Sequence, residues 1–466
     1  MTLRIFRHFV PASKISLVFL EILLISIVWY FLLTRDEAVQ AGFEDIVKSP
    51  APMFAILAGM IMTVTGNYHN KAFLNFRMMA VGVTASFFIM GIVSYVILEY
   101  WKISPKYNVE INLLYLKAGL SWAIILLLTR AVFLVLSDTG LLKARVLVIG
   151  GGRKAARIAS LAAAKHIGHF IPVAYLCTRD EPVCAQGVVQ DMADDDVDSL
   201  VRLGRKHKAS KVVVATDDRR GLPLHQLLQC RLANMKVIDY LDFIEQETKT
   251  VDLDALQPGW LIYCDGFRTG SFSRIVKRCF DIVLSIVLLI FTLPVIFVTS
   301  LLIKLDSPGP ILFRQERVGL CGKRFLLFKF RSMRADAERD GKPRWAANND
   351  PRVTSFGRLI RKVRIDELPQ VLNVLRGEMS FVGPRPERPA FVNDFTAQIP
   401  FYDERHWVKP GITGWAQINY PYGSSLEDAR QKLSYDLYYV KNHGFFLDLV
   451  IILQTVRVIF WADGSR

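Results

Sequence analysis

One apolar segment in the middle of the chain limits the possible folds more than any other feature. Residues 279–304, CFDIVLSIVLLIFTLPVIFVTSLLIK, form an apolar stretch of about 25 positions. A helix of this length can cross the hydrocarbon core of a bilayer. Pro294 lies near its middle, where it removes a helical hydrogen bond. Whether the segment crosses or turns back decides which side of the membrane carries the residues that follow.

Four further apolar segments open the sequence, at about 15–33, 51–66, 78–98 and 113–136. The chain has 466 residues, of which 52% are hydrophobic, a share that agrees with several membrane helices. Basic residues precede the first segment, fill the second loop and follow the fourth, whereas the first loop is acidic. The positive-inside rule therefore predicts that residues 1–140 form a unit of four transmembrane helices with both ends in the cytoplasm.

The net charge of +15 indicates an anionic partner. In a chain this apolar, membrane lipids and lipid-linked phosphate are better candidates than nucleic acid, which we do not expect as a partner. The six cysteines include no CxxC pair, so neither a disulfide framework nor a zinc site is indicated.

Residues 144–245 predict a Rossmann-like, doubly wound α/β domain, followed by a linker at 246–273. Apolar strands alternate there with helical patterns, and the first strand leads into a GxGxxA turn with Gly150 and Gly152. Such glycines let backbone amides approach a pyrophosphate, which makes them weak cofactor-binding candidates. The second strand ends without an acidic residue in the place where a ribose would be held. We therefore favour a scaffold without bound cofactor and expect no NAD(P).

The flanks of the central apolar segment predict that it turns back inside one leaflet. Arg274, Lys277 and Arg278 precede it, and further basic residues follow it, so both flanks have the cytoplasmic signature. Pro294 favours a sharp kink, and hydroxyl side chains within the segment can satisfy the freed backbone groups. We expect a re-entrant helix–break–helix at about 279–304, broken at Pro294. The alternative is an ordinary spanning helix with a proline kink.

An acidic pair surrounded by basic residues is the main catalytic candidate. Asp366 and Glu367 open a short apolar helix in RIDELPQVLNVLRG, where they could simply cap its N-terminus. Arginines and lysines precede and follow the pair, however. Their charges predict a carboxylate with a low pKa that could act as a nucleophile or as a magnesium ligand.

These residues also resemble a known family, the bacterial sugar transferases, which include the monotopic phosphoglycosyl transferases. The resemblance rests on six motifs in order: SPGPILFRQERVG (307–319), KFRSM (329–333), DPRVTSFGRLIRK (350–362), RIDELPQ (364–370), FVGPRPERP (381–389) and VKPGITGWAQIN (408–419). It covers about 274–460, and the preceding helices and α/β domain are similar to the long form of the family. It implies a mainly α, monotopic catalytic domain at 274–466.

The resemblance implies transfer of a sugar 1-phosphate from a UDP-sugar to undecaprenyl phosphate, with release of UMP and with Mg²⁺. By position, Asp366 would be the nucleophile that forms a covalent aspartyl-phosphosugar, and Glu367 the metal ligand. Lys329, Arg331, Arg361 and Arg385 are the candidates for phosphate and nucleotide contacts. The implied role is the first step of exopolysaccharide or capsule biosynthesis.

The resemblance further implies a homodimer in the bacterial cytoplasmic membrane, with the catalytic domain on the cytoplasmic face. An alternative from another enzyme class is a membrane-anchored NAD-dependent nucleotide-sugar dehydratase, based on Gly150 and Gly152. Short-chain enzymes of that kind use a Tyr-x-x-x-Lys pair, and no tyrosine in this sequence has a lysine four residues later.

Overall fold

The structure is a computed structural model that forms two compact units. One comprises Met1–Ile5 and Phe9–Thr248, the other Phe6–His8 and Lys249–Arg466. The structure describes residues 2–5, 7–34, 51–65, 67–68, 76–100, 108–138, 140, 143–164, 170–177, 189–191, 199–220, 222–259, 270–334, 350–421, 423 and 425–461.

The elements up to residue 248 are two short strands, four helices and then an alternation of strands and helices. In chain order they are β1 (Thr2–Ile5), β2 (His8–Pro11), α1 (Ala12–Thr34), α2 (Ala51–Val64), α3 (Phe76–Tyr100), α4 (Asn108–Asp138), β3 (Ala144–Ile149), α5 (Arg153–Ala163), β4 (Phe170–Cys177), β5 (Val189–Asp191), α6 (Ser199–Lys206), β6 (Lys211–Val214), α7 (Leu224–Leu232), β7 (Lys236–Asp239) and α8 (Tyr240–Thr248).

Helices α1 to α4 lie at the four apolar segments predicted near the start of the chain. Their shared core includes Ile25, Met62 and Leu126, all fully or almost fully buried. Among the described residues of these helices, Ala12–Leu32 is long and apolar enough to cross a membrane, and Phe54–Thr63 and Val81–Val93 are shorter apolar stretches.

A buried polar group ties three parts of this helical region together. The Glu21 carboxylate accepts hydrogen bonds from the Tyr68 hydroxyl at 2.6 Å and the Thr129 hydroxyl at 2.8 Å. It also lies 3.3 Å from the Arg130 guanidinium. A buried carboxylate is costly unless it is paired and hydrogen-bonded, and these contacts supply that compensation.

The α/β region forms a parallel five-stranded sheet, which confirms the predicted parallel α/β architecture. The strand order is β5-β4-β3-β6-β7, so the chain reverses its direction of winding between β3 and β6. The register pairs Val146 with Lys211 and Ile149 with Val214. Central residues such as Val148 and Val213 are fully buried, as expected for a sheet covered on both faces.

The second unit is mainly helical. In chain order its elements are α9 (Ser271–Asp306), β8 (Leu312–Val318), a 3₁₀ turn (Leu320–Gly322), β9 (Arg324–Phe330), α10 (Ser355–Lys362), a 3₁₀ turn (Ile365–Gln370), α11 (Val371–Arg376), β10 (Ser380–Val382), α12 (Pro389–Gln398), a 3₁₀ turn (Asp403–Trp407), β11 (Gly411–Thr413), α13 (Trp415–Asn419), α14 (Leu426–Asn442) and α15 (Phe445–Trp461).

Helix α9 contains the central apolar segment and continues without interruption through Pro294. The predicted break into two helices is therefore not seen. One missing N–H leaves the hydrogen bonds on either side intact, which is enough to keep the backbone helical. The hydroxyls of Ser285, Thr292 and Ser300 bond the carbonyls four residues earlier, at 2.7 Å each, rather than the carbonyl that Pro294 leaves without a donor.

Helix α9 is buried along one face and exposes apolar side chains elsewhere. Asp281, Ser285, Thr299 and Ile303 are buried, whereas its outer face carries exposed apolar residues: Val283, Ile286, Val287, Ile290, Phe291, Leu293, Phe297, Val298, Leu301 and Leu305. The helix is long and apolar enough to cross a membrane by length and composition. An exposed apolar surface of this size is typical of contact with lipid.

Candidate active site

The acidic pair lies in a tight 3₁₀ turn, Ile365–Gln370, which we call the dyad turn. Arg364 precedes it in the left-handed conformation, with φ 57° and ψ 20°, which few non-glycine residues adopt and which costs about 1 kcal/mol or more. Ile365 and Leu368 pack against a core that includes Ile303. The apolar residues of the dyad turn therefore face inward. The two acids lie in sequence between Ile365 and Leu368.

Glu367 is surrounded by cations. Its Oε1 lies 2.8 Å from Arg385 Nη2, 3.5 Å from Lys329 Nζ and 4.0 Å from Arg364 Nη1. Burial alone would raise the pKa of Glu367, but these three cations hold it well below its usual range. Glu367 is therefore ionised throughout the physiological pH range, as the basic surroundings predicted for the acidic pair.

Asp366 behaves differently from its neighbour. It is 8% exposed, and within the described part of the chain its carboxylate makes no hydrogen bond and no ion pair within 4 Å. Burial, followed by the charge of Glu367, raises its pKa to about 6, against the attraction of nearby cations. The prediction of a low pKa was therefore wrong for Asp366, because those cations are committed to Glu367.

The raised pKa of Asp366 has a chemical consequence. An increase from the usual 3.8 to about 6 corresponds to about 3 kcal/mol against the ionised form. At neutral pH the carboxylate is still mostly charged, yet it lacks the solvation that stabilises an ordinary aspartate. A poorly stabilised, unpaired carboxylate next to cations is suited to nucleophilic attack on a phosphorus atom.

The structure brings three of the four predicted phosphate-binding residues to this pair. Lys329 lies on β9 and Arg385 follows β10, and both contact Glu367. Arg361, in the last turn of α10, lies close enough to Asp366 to lower its pKa. Burial lowers the pKa of Lys329, and the Glu367 carboxylate opposes that change.

Arg331 is not part of this group, although it belongs to the same KFRSM motif as Lys329. Its guanidinium donates to the carbonyls of Ser307 at 2.6 Å, Pro308 at 3.1 Å and Ile303 at 3.3 Å. It also contacts the Ser307 hydroxyl at 3.0 Å. Arg331 is buried at the C-terminal end of α9, where it bonds backbone carbonyls. This position indicates a structural role instead of the predicted phosphate contact.

Sequence reasoning missed two amides that organise the site. Gln417 Oε1 accepts a hydrogen bond from Arg385 Nη1 at 2.9 Å. Asn373 accepts from the Phe328 backbone at 3.0 Å and donates to the Leu326 carbonyl at 2.7 Å, which attaches α11 to β9. Gln417 lies in the quoted motif 408–419, but neither spacing nor charge distinguishes a positioning amide from a surface one.

The acidic pair is also the part of the site that could take Mg²⁺. The described residues contain no cluster of three or more His, Cys, Asp or Glu side chains suited to a metal. Mg²⁺ in enzymes of this kind of chemistry is commonly held by one or two carboxylates together with substrate phosphates. Glu367 and the neighbouring Asp366, which has no ion pair among the described residues, offer carboxylate oxygens that fit such a shared ion.

The glycines of the α/β domain are explained by internal contacts. Gly150 has φ +126°, and a Cβ there would meet the Ala215 carbonyl oxygen at 2.5 Å. A Cβ on Gly152 would meet the Asp217 carboxylate, which accepts the Arg153 amide at 2.9 Å. An acidic side chain of the chain itself thus lies at the start of α5, where a dinucleotide phosphate would bind. Backbone contacts and a positive φ therefore account for Gly150, whereas the neighbour of Gly152 is a side-chain carboxylate.

Comparison with known proteins identifies the family of the chain. The model of the family "Bacterial sugar transferase" matches residues 272–462. A UDP-N-acetylgalactosamine-undecaprenyl-phosphate N-acetylgalactosaminephosphotransferase of Aeromonas hydrophila is 41% identical over 250 residues, which are 54% of this chain and 58% of that protein. A UDP-glucose:undecaprenyl-phosphate glucose-1-phosphate transferase of Xanthomonas campestris pv. campestris is 35% identical over 277 residues, 57% of this chain and 56% of that protein.

A shorter relative is covered almost completely. An uncharacterised sugar transferase of Bacillus subtilis (strain 168) is 46% identical over 196 residues, which are 41% of this chain but 91% of the relative. The matched part of this chain spans a little over half the length of the two longer relatives. Since the dyad turn and its cations fall within the family match, the chain belongs to the bacterial sugar transferase family.

Proposed function

We propose that this protein transfers a sugar 1-phosphate from a UDP-sugar to undecaprenyl phosphate, releasing UMP, as the first step of exopolysaccharide or capsule assembly. The observation that carries the proposal is Asp366: a buried carboxylate without an ion-pair partner among the described residues, beside an acid held by cations. The names of the relatives support the two substrates.

The reaction proceeds in two displacements at the phosphorus that bears the sugar. In the first, an Asp366 carboxylate oxygen forms a bond to that phosphorus while the bridging P–O bond to UMP breaks, and UMP leaves with the electron pair. In the second, an oxygen of the lipid phosphate attacks the same phosphorus and the Asp366 O–P bond breaks. The carboxylate is restored, and the product is an undecaprenyl diphosphosugar. One site used in turn by two substrates gives ping-pong kinetics.

Three basic residues make attack by one anion on another possible. Lys329, Arg361 and Arg385 neutralise the phosphate oxygens, which would otherwise repel the Asp366 carboxylate. Arg385 is held from two sides, by Glu367 and Gln417, so its planar guanidinium is already oriented for phosphate. A Mg²⁺ held by Glu367 would supply further neutralisation of the departing UMP oxygens.

Helix α9 supports a re-entrant placement of the catalytic unit. Asp281 near its start and Ile303 near its end would lie roughly 33 Å apart in a straight helix, about the thickness of the hydrocarbon core. A crossing would put these residues on opposite faces. Asp281 accepts hydrogen bonds from Ser380 and Phe381, whereas Ile303 packs with Phe330. Both ends of α9 thus contact the same unit, which supports our proposal that they lie at one face of the membrane.

This placement, together with the basic loops, favours a multi-pass protein of the bacterial cytoplasmic membrane with its catalytic unit on the cytoplasmic face. The four N-terminal helices would anchor it, membrane lipids would surround α9, and UDP-sugars would arrive from the cytosol. A homodimer remains part of the proposal on family resemblance. Ser271→Cys and Asp306→Cys, in a chain whose native cysteines are replaced by serine, should both react with a membrane-impermeant thiol reagent from the cytoplasmic side. Labelling from opposite sides would contradict re-entry.

The activity is tested with the full-length protein in lipid nanodiscs. UDP-glucose and UDP-N-acetylgalactosamine are supplied separately with Mg²⁺, with and without undecaprenyl phosphate, and UMP and lipid product are measured. We expect one UMP for each lipid-linked sugar phosphate formed with at least one of the two donors. Release of UDP, an altered sugar on intact UDP, or no UMP with either donor would contradict the proposal.

A further inference from the structure

One arginine attaches the start of α9 to the helix that continues the dyad turn. Arg278 donates from Nη1 to the Val374 carbonyl at 2.6 Å and from Nη2 to the Leu375 carbonyl at 2.7 Å. These carbonyls lie at the end of α11, where a helix leaves its last acceptors without internal donors. Since the dyad turn runs directly into α11, Arg278 links α9 to Asp366 through α11 and the rest of the dyad turn.

A second arginine attaches the other end of α9. Arg331 contacts the carbonyls of Ile303, Ser307 and Pro308, as described above, so it completes the C-terminal end of the helix. It lies two residues after Lys329, which contacts Glu367. The far end of α9 is therefore linked to the site through one short stretch of β9.

The C-terminal half of α9 also shares an apolar core with the elements around the site. The core joins α9 to β9, α10 and the dyad turn, and consists of Ile303, Phe330 and Ile360 with Ile296, Ile311, Leu312, Phe356, Ile365 and Leu368 packed against them. The acidic pair thus rests on side chains of α9 itself. A shift of α9 relative to this core would move the dyad turn.

We propose that Arg278 and Arg331 are positioning residues that set the depth of Asp366 relative to the lipid phosphate, and so act mainly on the second displacement. This inference rests on the proposed function. The exposed apolar face of α9 fixes the helix in the bilayer, and the two arginines fix the dyad to the helix. The lipid phosphate is confined to the headgroup plane, whereas the UDP-sugar arrives from water and can adjust its own depth.

The residue type at both positions agrees with this role. Each arginine serves two or more carbonyl oxygens at once, which requires the planar, forked guanidinium. A lysine would keep the charge and the length but would hold fewer acceptors in a fixed direction. The substitution to lysine therefore loosens the geometry without leaving a buried carboxylate unpaired.

The test separates the two displacements in full-length Arg278→Lys and Arg331→Lys proteins in nanodiscs. The first is measured as exchange of labelled UMP into UDP-sugar without lipid acceptor, and the second as transfer to undecaprenyl phosphate. We expect exchange within about twofold of wild type and transfer reduced about tenfold or more, since a displacement of about 1 Å can cost that much. The KM for undecaprenyl phosphate should rise while the KM for the UDP-sugar is unchanged.

A matched control lies on the same strand as Lys329. Arg324 begins β9 and has a 61% exposed side chain near Glu316, so Arg324→Lys should leave both displacements unchanged. An equal loss of exchange and transfer in the Arg278 and Arg331 variants, or no loss of transfer, would overturn the inference. Absence of exchange in the wild-type protein would instead contradict the proposed function, so the two failures are distinguishable.

Discussion

Two turns of this chain have sequences that suggest phosphate chemistry, and the fold places different charged groups beside each of them. At the glycine turn of residues 150–152, the chain's own Asp217 carboxylate takes the helix amide that a phosphate would use. At the dyad turn, cations gather around Glu367 and leave the neighbouring Asp366 without an ion pair within the described residues. A motif provides a backbone shape, but the charges that the fold brings to it decide whether an anion can bind.

The largest effect should come from removing the proposed nucleophile at the dyad turn. Asp366→Asn keeps the shape but abolishes nucleophilic attack, so UMP release and the trapped phosphosugar adduct should both fall by about 10³-fold or more. Radiolabelled sugar retained on the denatured protein measures the adduct. Asp394→Asn, an exposed acid of α12, is the control and should behave as wild type. Substantial turnover by Asp366→Asn would reassign the nucleophile.

The second effect concerns Glu367. Glu367→Gln removes the charge that holds Arg385 and Lys329, and also the proposed metal ligand. We expect turnover to fall about 10²-fold and the Mg²⁺ titration of UMP release to move to higher concentration. The control is Glu316→Gln, a half-exposed acid near Arg324. A Mg²⁺ titration that coincides with that of wild type would exclude the ligand role of Glu367.

A third effect is the pH dependence of the first displacement. The attacking form of Asp366 is ionised, and its pKa is raised to about 6, so activity should rise as pH increases through that value. The ionised fraction is roughly a tenth at pH 5 and nine tenths at pH 7, which predicts about a tenfold change in UMP exchange.

The Glu367→Gln variant sharpens this pH prediction. The charge of Glu367 contributes to the raised pKa of Asp366, so its removal should move the midpoint of the pH profile to lower pH. Residual exchange in this variant is measured across pH 4.5–8. A midpoint that stays in place would mean that burial alone raises the pKa of Asp366.

The smallest effect is expected at the glycine turn. Asp217→Ala removes the acceptor of the Arg153 amide, which should lower stability by about 1 kcal/mol, typical for loss of a helix cap. UMP release should change less than twofold, because the variant does not touch the dyad turn. Asp218→Ala, which removes an exposed partner of Arg220, is the matched control for thermal unfolding. Loss of UMP release in Asp217→Ala alone would show that the glycine turn takes part in the reaction.

The sequence predicted the elements whose signals are local. Apolar length indicated helices α1 to α4 and α9, alternation indicated the parallel sheet, and the ordered motifs indicated the family. The continuity of α9 through Pro294 was not predictable, because a proline weakens a helix by a fixed local amount while packing along its buried face opposes the break.

The candidate site was predictable as a set of residues but not in its electrostatics. Charge counts near Asp366 and Glu367 are nearly the same, so sequence assigned both a low pKa. The fold brings Arg385, Lys329 and Arg364 to the Glu367 carboxylate and leaves the buried Asp366 carboxylate without an ion pair among the described residues. Arg331 and Lys329 are two positions apart in one motif. Arg331 bonds the carbonyls at the end of α9, whereas Lys329 contacts the acidic pair. The sequence does not show this difference because it depends on three-dimensional contacts.

The core shared by α9 and the dyad turn has a practical consequence for preparing this protein. Ile303 lies at the centre of the cluster on which Ile365 and Leu368 rest. Deleting the apolar helix to obtain a water-soluble fragment would remove part of the interior that shapes the catalytic turn. The long apolar helix and the dyad turn share one folded interior, so we expect the protein to be better prepared in a supplied bilayer than by trimming the chain.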